Sequence, residues 1–176
     1  MFNVNDEISI SDIKYTIVKL LGHGKGGYAY LATTDNKKYV LKQIHHEPCS
    51  YYQFGNKIEA ELHDYERLLK TGIRIPKLIA FDKDKEIIIK EYIEGPVLSD
   101  QIKSNKDITI YIKQMKDMLP NIYSAGLNID YYPTNFIINK NDNLIYYIDY
   151  ECNLYDAKWD FDNWGIKYWN GGEKLI

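Results

Sequence analysis

The chain of 176 residues is long enough for one compact domain or for two small lobes that share a cleft. Hydrophobic residues make up 45% of it and charged residues 27%, a balance typical of soluble globular proteins. The net charge of −3 gives no sign of the basic patch that nucleic acids or anionic membranes attract, so we expect neither as a partner.

Cysteine usage and the first residues indicate the compartment. Cys49 and Cys152 lie far apart without a CxxC motif, which is typical of reduced thiols in a cytosolic protein. His45-His46 lies near Cys49 but lacks the spacing of zinc ligands, so an ordinary surface loop is the expected interpretation. Residues 1–10 are polar and acidic, and no apolar run is long enough to span a membrane. We therefore expect a cytoplasmic protein.

The first half of the chain predicts five strands and one helix. Apolar-rich runs separated by polar turns indicate the strands, and an apolar stripe that ends at a glycine indicates an amphipathic helix. The expected strands are residues 15–21, 28–33, 38–44, 78–81 and 86–92, and the expected helix is residues 57–70. This order is typical of an α+β domain.

The second half begins at a break and is mostly helical. Residues 94–96, Glu-Gly-Pro, form the break and an expected hinge. Apolar residues at helical spacing predict a helix over residues 106–119 that Pro120 ends. Residues 136–148 predict a β-hairpin, and the aromatic residues of 159–169 predict a last, packed helix.

A glycine-rich segment joins the first two predicted strands. Gly22, Gly24 and Gly27 satisfy the pattern G-x-G-x-x-G. Dinucleotide-binding folds place this pattern between a strand and a helix, so the strand–turn–strand setting argues against them. The backbone N–H groups of a glycine hairpin can close over phosphates because no side chain obstructs them. Alone the motif is weak, and a hairpin without a ligand explains it equally well.

Lys42 stands in an apolar strand shortly after the glycine segment. A lysine at a strand edge is the alternative, but Lys37 and Lys38 fit that description better. A lysine within an apolar strand favours a nearby carboxylate, and the following helix offers Glu59, Glu61 and Glu66. At 100° per residue Glu61 falls beside the apolar ridge, and we expect it to be the partner, with Glu66 in reserve.

The strongest signal is an Asp, an Asn and a second Asp around the predicted hairpin. Asp130 and Asn135 lie five residues apart before it, and Asp149 follows its second apolar strand. A lone Asp-x4-Asn is common by chance, because Asp and Asn often cap turns. An Asp at the end of an apolar strand, however, is costly to bury without a partner, and a metal ion would supply one.

The glycine segment, the strand lysine, the helical glutamate and the Asp-Asn-Asp set follow one another in an order that resembles the protein-kinase-like superfamily. The likeness is greatest to the small kinase of the KEOPS tRNA-modification complex, the RIO kinases and the aminoglycoside phosphotransferases. Residues 128–138 are similar to the H-G-D-L-x-x-x-N-x-I segment of those families. Residues 72–76 resemble the G-V-x-V-P of the KEOPS kinase, an alignment that places its helical glutamate at Glu61. Residues 91–95, E-Y-I-E-G, resemble the hinge between kinase lobes. The likeness spans roughly residues 15–151.

The resemblance implies a bilobal kinase-like α+β fold. Residues 1–94 would form an N-lobe on a five-stranded antiparallel sheet, and residues 95–176 a truncated, mainly helical C-lobe. The implied activity is transfer of a phosphoryl group from ATP, with Mg²⁺, to a protein Ser or Thr, or to a small hydroxylated molecule. The protein would be a small atypical serine/threonine kinase, and a protein partner in a complex is conceivable.

The resemblance also implies a role for each candidate residue. Asp130 would orient the acceptor hydroxyl, and Lys42, paired with Glu61, would fix the phosphates. Asn135 and Asp149 would hold Mg²⁺. The remaining residues implied to contact ATP are Gly22, Gly24, Gly27, Ala29, Glu91, Tyr92 and Ile93.

Three departures from the family pattern keep other functions open. Asn128 stands where the family has a His, and the D-F-G triplet is replaced by residues 149–151, Asp-Tyr-Glu. Because 25 residues follow Glu151 in this sequence, we expect no normal activation segment. A pseudokinase or nucleotide-binding scaffold is therefore an alternative. A third is a subunit whose tryptophans at 159, 164 and 169 form a docking surface, although their spacing favours core packing for at least some of them.

Overall fold

The computed structural model describes residues 1–48 and 55–171, so Cys49 lies outside the described residues. The fold is α+β, as predicted. The chain divides into two compact units: unit 1 contains the described residues of Met1–Leu62 and Pro76–Tyr92, and unit 2 contains His63–Ile75 and the described chain from Ile93 onwards. In the described ranges no helix combines the length and the apolar character needed to cross a bilayer.

Unit 1 is built on one antiparallel sheet of six strands rather than the five expected. The additional strand is β1, whose four residues are too few to give a clear alternating pattern, although Ile10 is completely buried. The strands are β1 Glu7–Ile10, β2 Ile13–Gly24, β3 Gly27–Thr34, β4 Lys37–Ile44, β5 Leu78–Asp82 and β6 Ile87–Glu91. Their order across the sheet is β1-β2-β3-β4-β6-β5.

Alternate residues of these strands bury one face of the sheet. Tyr15 and Ile17 on β2, Tyr30 on β3, Leu41 on β4 and Ile89 on β6 form the centre of this core. Each is at most 1% exposed. Because side chains alternate between faces along a strand, the residues between them, including Lys42, belong to the opposite face.

Helix α1 spans Lys57–Thr71, close to the predicted 57–70. At its start the side chain of Asn56 accepts a hydrogen bond from the Glu59 N–H at 3.2 Å, which satisfies one of the free N–H groups of the first turn. After its end Gly72 adopts a φ of +72°, a conformation that favours glycine. Residues 57–62 belong to unit 1, and the rest of the helix belongs to unit 2.

Unit 2 combines helices with two small antiparallel ladders. The ladders pair β10 with β7 and β8 with β9. The elements are α2 Leu98–Lys103, α3 Thr109–Ser124, β7 Leu127–Ile129, β8 Phe136–Ile138, β9 Ile145–Tyr147, β10 Cys152–Leu154 and α4 Ile166–Trp169. Helix α2 had no counterpart in the sequence prediction, because its six residues are too few to display a helical stripe.

Helix α3 corrects the prediction that Pro120 ends the second helix. The helix starts at Thr109 and continues through Pro120 to Ser124. A proline inside a helix removes one backbone hydrogen bond, here to the carbonyl of Lys116, which is an exposed residue. Continuation buries Ile122 completely, and this apolar burial offsets the lost bond.

The aromatic segment near the end of the described chain is not the single helix that was predicted. It contains a 3₁₀ turn at Ala157–Trp159, a π-helical stretch at Phe161–Gly165 and the short helix α4. Trp169 is buried, whereas Trp159 is 49% exposed. Trp169 therefore packs in the core. The spacing of the three tryptophans predicted core packing for at least some of them.

Candidate functional site

The glycine segment and Lys42 lie side by side in the sheet of unit 1. Gly22 on β2 pairs with Ala29 on β3, and Ala29 pairs with Lys42 on β4. Directly opposed residues in a sheet share a face. On the face of the sheet that carries Lys42, the next two strands contribute only the methyl group of Ala29 and the backbone of Gly22. No large side chain from these two positions covers the face beside the lysine.

Lys42 forms the predicted ion pair with Glu61 of α1. Its Nζ lies 2.6 Å from Glu61 Oε2, and the two side chains are 15% and 10% exposed. A second lysine, Lys90 on β6, lies 3.5 Å from the other carboxylate oxygen, Oε1, and its side chain is 6% exposed. Glu61 thus has one lysine ammonium group near each of its carboxylate oxygens, of which Lys90 is buried and Lys42 partly buried.

The glycines of the hairpin fall into two classes. A Cβ on Gly27 would collide with the backbone carbonyl of Gln43 on the neighbouring strand, so packing alone requires glycine there. A Cβ on Gly22 or Gly24 would meet nothing within 4 Å. One on Gly26 would lie 3.3 Å from Lys42 Nζ. Packing therefore explains Gly27, but it does not explain the bare backbone at Gly22 and Gly24.

The predicted adenine-contacting residues come at the end of β6. Glu91 is the last residue of that strand, and its carboxylate accepts a hydrogen bond from the Lys77 N–H at 3.1 Å. Tyr92 follows it directly, with Lys38 Nζ 5.8 Å from the centre of its ring. Ile93, the first residue of the second part of unit 2, is 5% exposed.

The segment expected to be a hinge is closely packed in unit 2. A Cβ on Gly95 would collide with the carbonyl of Ile138, and the Ile138 N–H donates to the carbonyl of Pro96 at 3.0 Å. Glu94 forms a 2.7 Å ion pair with Lys140. Residues 94–96 are therefore fastened to the end of β8 instead of forming a loose linker.

Two backbone ladders of unit 2 bring the three candidate catalytic residues into adjacent loops. One loop, residues 130–135, connects β7 to β8, and the other, residues 148–151, connects β9 to β10. Cys152 pairs with Ile129 at one end of the loops, and Phe136 pairs with Tyr147 at the other. Both loops are thus closed at both ends by the same pairs of strands.

Local hydrogen bonds shape the first loop. A carboxylate oxygen of Asp130 accepts from the Tyr132 N–H at 3.1 Å, and the Asn135 amide donates to the Asp130 carbonyl at 3.3 Å. Pro133–Asn135 forms a single 3₁₀ turn, and the fixed φ of the proline suits its first position. Because the amide nitrogen of Asn135 donates this hydrogen bond, its side-chain oxygen is the atom that could bind a cation.

Tyr147 connects the two loops. Its hydroxyl accepts from the Asp130 N–H at 3.3 Å and donates to the Glu151 carbonyl at 2.8 Å. Burial, followed by the negative charges of Asp149 and Asp130, raises the pKa of this hydroxyl well above its usual value. The hydroxyl therefore stays protonated, and both carboxylates lie near enough to act on it.

The second loop presents Asp149 immediately after the hairpin. One carboxylate oxygen of Asp149 accepts from the Tyr150 N–H at 2.8 Å, and the Ile148 N–H donates to the carbonyl of Asn135 at 2.9 Å. The second bond joins the two loops directly. The hypothesis that Asp130, Asn135 and Asp149 come together in one region is consistent with these contacts.

Asn128, which replaces the family's His, is a buried structural residue. It is 3% exposed, and its amide donates to the Asp156 carbonyl at 2.7 Å. Beyond the loop, the Trp169 indole donates to the Tyr131 carbonyl at 2.8 Å. A Cβ on Gly165 would come within 2.6 Å of Tyr131. The first loop is therefore supported from several sides without a histidine.

Cys152 lies just after the second loop and has an unreactive thiol. It is 4% exposed, and burial, followed by the nearby charge of Asp64, raises the pKa of its thiol to about 12. A thiol with this pKa remains protonated at neutral pH and is a poor nucleophile. This agrees with the expectation of a reduced thiol and gives Cys152 no role in the chemistry.

The donor atoms in each unit suit different parts of a nucleotide complex. Ammonium groups and bare backbone, as at Lys42 and Gly22, are suited to phosphate oxygens. The side-chain oxygens of Asn135 and Asp149 are the hard ligands that Mg²⁺ prefers. The residues present in the two units therefore fit ATP and Mg²⁺ chemically.

Sequence reasoning missed Lys90 and Tyr147. Lys90 looked like an ordinary residue of a strand, but a lysine within the run Ile-Ile-Ile-Lys is a signal of a buried, paired charge. Tyr147 is one of 17 tyrosines, and nothing in its sequence neighbourhood distinguishes it from those that fill the core.

No protein-family model matches the sequence.

Proposed function

We propose that this protein is a phosphotransferase that uses ATP and Mg²⁺ to phosphorylate a hydroxyl group. The observation that carries the proposal is the pair of loops in unit 2. Two carboxylates and an amide, from Asp130, Asp149 and Asn135, stand on loops closed by the same two ladders. Phosphoryl transfer needs this combination of a carboxylate for the acceptor and oxygen ligands for a metal ion.

Unit 1 is assigned the binding of phosphates. Lys42 would contact phosphate oxygens, and Glu61 would hold the lysine side chain in place through its 2.6 Å ion pair. Gly22, Gly24 and Gly26 would let backbone N–H groups approach the phosphates closely. Lys90, near the other oxygen of Glu61, would help to keep that carboxylate in place.

Unit 2 is assigned the acceptor and the metal ligands. Asp130 would accept a hydrogen bond from the acceptor hydroxyl and orient its oxygen for attack. Asn135 and Asp149 would coordinate Mg²⁺ through their side-chain oxygens. The ion, when bound, supplies charge neutralisation at the phosphate oxygens. Tyr147 would position Asp130 and the second loop through its two hydrogen bonds.

The acceptor class follows from the resemblance. A Ser or Thr of a protein, this one included, ranks slightly above a small hydroxylated molecule. Asp130 can orient either type of hydroxyl, so the chemistry of the loops does not separate them.

A transfer assay with radiolabelled ATP tests the proposal. Purified protein with Mg²⁺ should transfer the γ-phosphoryl group to itself or to a panel of protein and small-molecule acceptors. Asp130→Asn should greatly reduce transfer and retain ATP binding, because Asp130 contributes to the chemical step. Absence of transfer to every acceptor, or unchanged transfer by Asp130→Asn, would contradict the proposal.

A nucleotide-binding module without transfer is the second candidate. It is favoured by the fact that the bare glycine face and the Lys42–Glu61 pair belong to unit 1 alone, independently of Asp130. In that case ATP should bind and stabilise the protein. Transfer would then be absent, and Asp130→Asn would change nothing in either assay.

A further inference from the structure

A second group of potential ligands lies in unit 1, around the glycine hairpin. His23, between Gly22 and Gly24 on β2, meets His45 and Glu47, which follow the end of β4. Among the described residues, these three side chains form a group with the composition of a metal site. The spacing of His45-His46 did not predict this group, because its other histidine, His23, lies 22 residues before His45 in the chain.

The distances in this cluster match a tetrahedral metal site. The two Nε2 atoms of His23 and His45 lie 3.1 Å apart, and His23 Nε2 lies 3.3 Å from Glu47 Oε2. All three ligand atoms lie within 4.8 Å of one another. A tetrahedron with metal–ligand bonds of about 2.0–2.1 Å has edges of about 3.3 Å. An ion could therefore enter with small side-chain movements.

Surrounding contacts orient the ligands as outer partners do in metal sites. The Tyr28 hydroxyl donates a hydrogen bond to Glu47 Oε1, which leaves Oε2 directed at His23. The Tyr28 ring also stacks on His23, with ring centres 4.4 Å apart and planes 9° apart. One carboxylate oxygen therefore faces the histidine, and the stacked ring fixes the plane of the imidazole.

His45 is held in place by contacts that an ion would partly replace. Its Nε2 lies 2.8 Å from the Gly24 carbonyl, and its Nδ1 accepts from the Glu47 N–H at 3.2 Å. Coordination through Nε2 would replace the first contact with a bond to the metal, and, because the ring proton then lies on Nδ1, it would also break the bond from the Glu47 N–H. The Gly24 carbonyl, or water, is then available for the fourth position of the tetrahedron.

We propose that His23, His45 and Glu47 bind a divalent first-row transition metal ion, with Zn²⁺ as the best match. Two imidazoles and one carboxylate are a common ligand set for zinc, whereas Mg²⁺ prefers oxygen ligands alone. Since His23 stands between two hairpin glycines, the ion fastens this part of the hairpin to the chain after β4.

This site is separate from the one assigned to phosphates. His23 pairs with Tyr28, one position along the strands from the Gly22–Ala29 pair. Successive residues point to opposite faces of a sheet, so His23 and Lys42 belong to different faces. The metal proposal therefore does not depend on the proposed phosphotransferase activity, and its test requires no nucleotide.

Calorimetric titration of the tag-free, chelator-treated protein with ZnCl₂ tests the proposal. We expect one ion per chain, with a Kd on the order of 1 µM or tighter. His23→Ala and His45→Ala should each weaken binding by at least about tenfold, as should Glu47→Gln, which keeps an acceptor for Tyr28. His46→Ala and His63→Ala are matched controls, because they remove histidines outside the cluster, and they should bind as the unchanged protein does.

Two further readouts separate metal binding from a loss of folding. Circular dichroism should show that the variants are folded, since His23 and Glu47 are exposed. Co²⁺ in place of Zn²⁺ should give the visible absorption of a tetrahedral centre in the unchanged protein and lose it in His23→Ala. Binding weaker than on the order of 100 µM, or equal binding by the cluster variants and the two controls, would overturn the proposal.

Discussion

The two sets of candidate residues are held in place by different means. In unit 1, Lys42, Glu61 and Lys90 come from two strands and a helix, and long charged side chains connect them. In unit 2, short side chains stand on two loops, and backbone ladders with nearby hydrogen bonds fix the loops. The first arrangement depends on charge pairing, whereas the second depends on chain topology.

This difference has a consequence for substitutions. Removing a charge from the unit 1 cluster disturbs its partners, because a buried carboxylate or ammonium loses compensation. Removing a carboxylate from a unit 2 loop leaves the ladders intact. We therefore expect loss of a charge from the unit 1 cluster to affect stability and binding together, and loss of a carboxylate from a unit 2 loop to affect chemistry with little change in stability.

The largest expected effect is on the chemical step. Asp130→Asn should reduce phosphoryl transfer by about 10²–10⁴-fold, because a positioned carboxylate contributes on this scale. The melting temperature and ATP affinity should change little, since the ladders remain. Asp117→Asn, an exposed change on α3, is the control. A large drop in melting temperature for Asp130→Asn would contradict the distinction between the units.

Lys42→Met should weaken ATP binding and also reduce stability. Loss of a charged hydrogen bond of about 1.5–3 kcal/mol corresponds to about a 10–100-fold rise in the Kd for ATP. The melting temperature should also fall, because Glu61 loses its closest cation. Lys37→Met, on the same strand but exposed, is the matched control, and calorimetry with thermal melts measures both effects. Unchanged ATP affinity in Lys42→Met would remove Lys42 from the site.

The glycines permit a sharper comparison within unit 1. Gly27→Ala should destabilise the protein by about 1–3 kcal/mol, because its Cβ collides with the Gln43 backbone. Gly22→Ala should change stability by less than about 0.5 kcal/mol, since its Cβ meets nothing within 4 Å. Gly22→Ala should nevertheless weaken ATP binding if phosphates approach that backbone. Chemical denaturation measures the loss of stability, and calorimetry measures ATP binding. Equal destabilisation by Gly27→Ala and Gly22→Ala would contradict the claim that packing requires glycine at Gly27 but not at Gly22.

Tyr147→Phe should have a smaller effect on phosphoryl transfer than Asp130→Asn, because Tyr147 acts only by positioning the two loops. It removes the hydroxyl that contacts the Asp130 N–H and the Glu151 carbonyl, at a cost of about 1–3 kcal/mol for the groups left without a partner. Transfer should fall because both loops lose a common support. Tyr146→Phe, at the neighbouring position of the hairpin, is the comparison variant. If the two variants have the same effect on transfer, Tyr147 has no special positioning role.

The sequence predicted the elements that have strong patterns. Five strands and helix α1 are close to their expected bounds, because their apolar runs are long and their ends carry glycine or polar turns. The Glu61 partner of Lys42 also followed from helical geometry. Strand β1 and helix α2 were missed because four or six residues contain too little periodicity to identify an element.

The failures have a common physical origin in tertiary packing. Helix α3 continues past Pro120 because Ile122 is buried, and that gain is not visible from local propensity. The cluster of His23 with Glu47 arises from the pairing of β2, β3 and β4, which joins residues distant in sequence. Lys90 became visible as a partner of Glu61 only when β6 was placed beside β4.

Thermal melts with ATP, with and without Mg²⁺, test the central claim most directly. ATP with Mg²⁺ at about 100 times its Kd should stabilise the protein by about 2.7 kcal/mol, or roughly 5–10 °C. The shift should be smaller without Mg²⁺, and Asp149→Asn should lose the part that depends on Mg²⁺. No shift with ATP, or the same shift with and without Mg²⁺, would contradict the proposal that the protein binds ATP together with a metal ion.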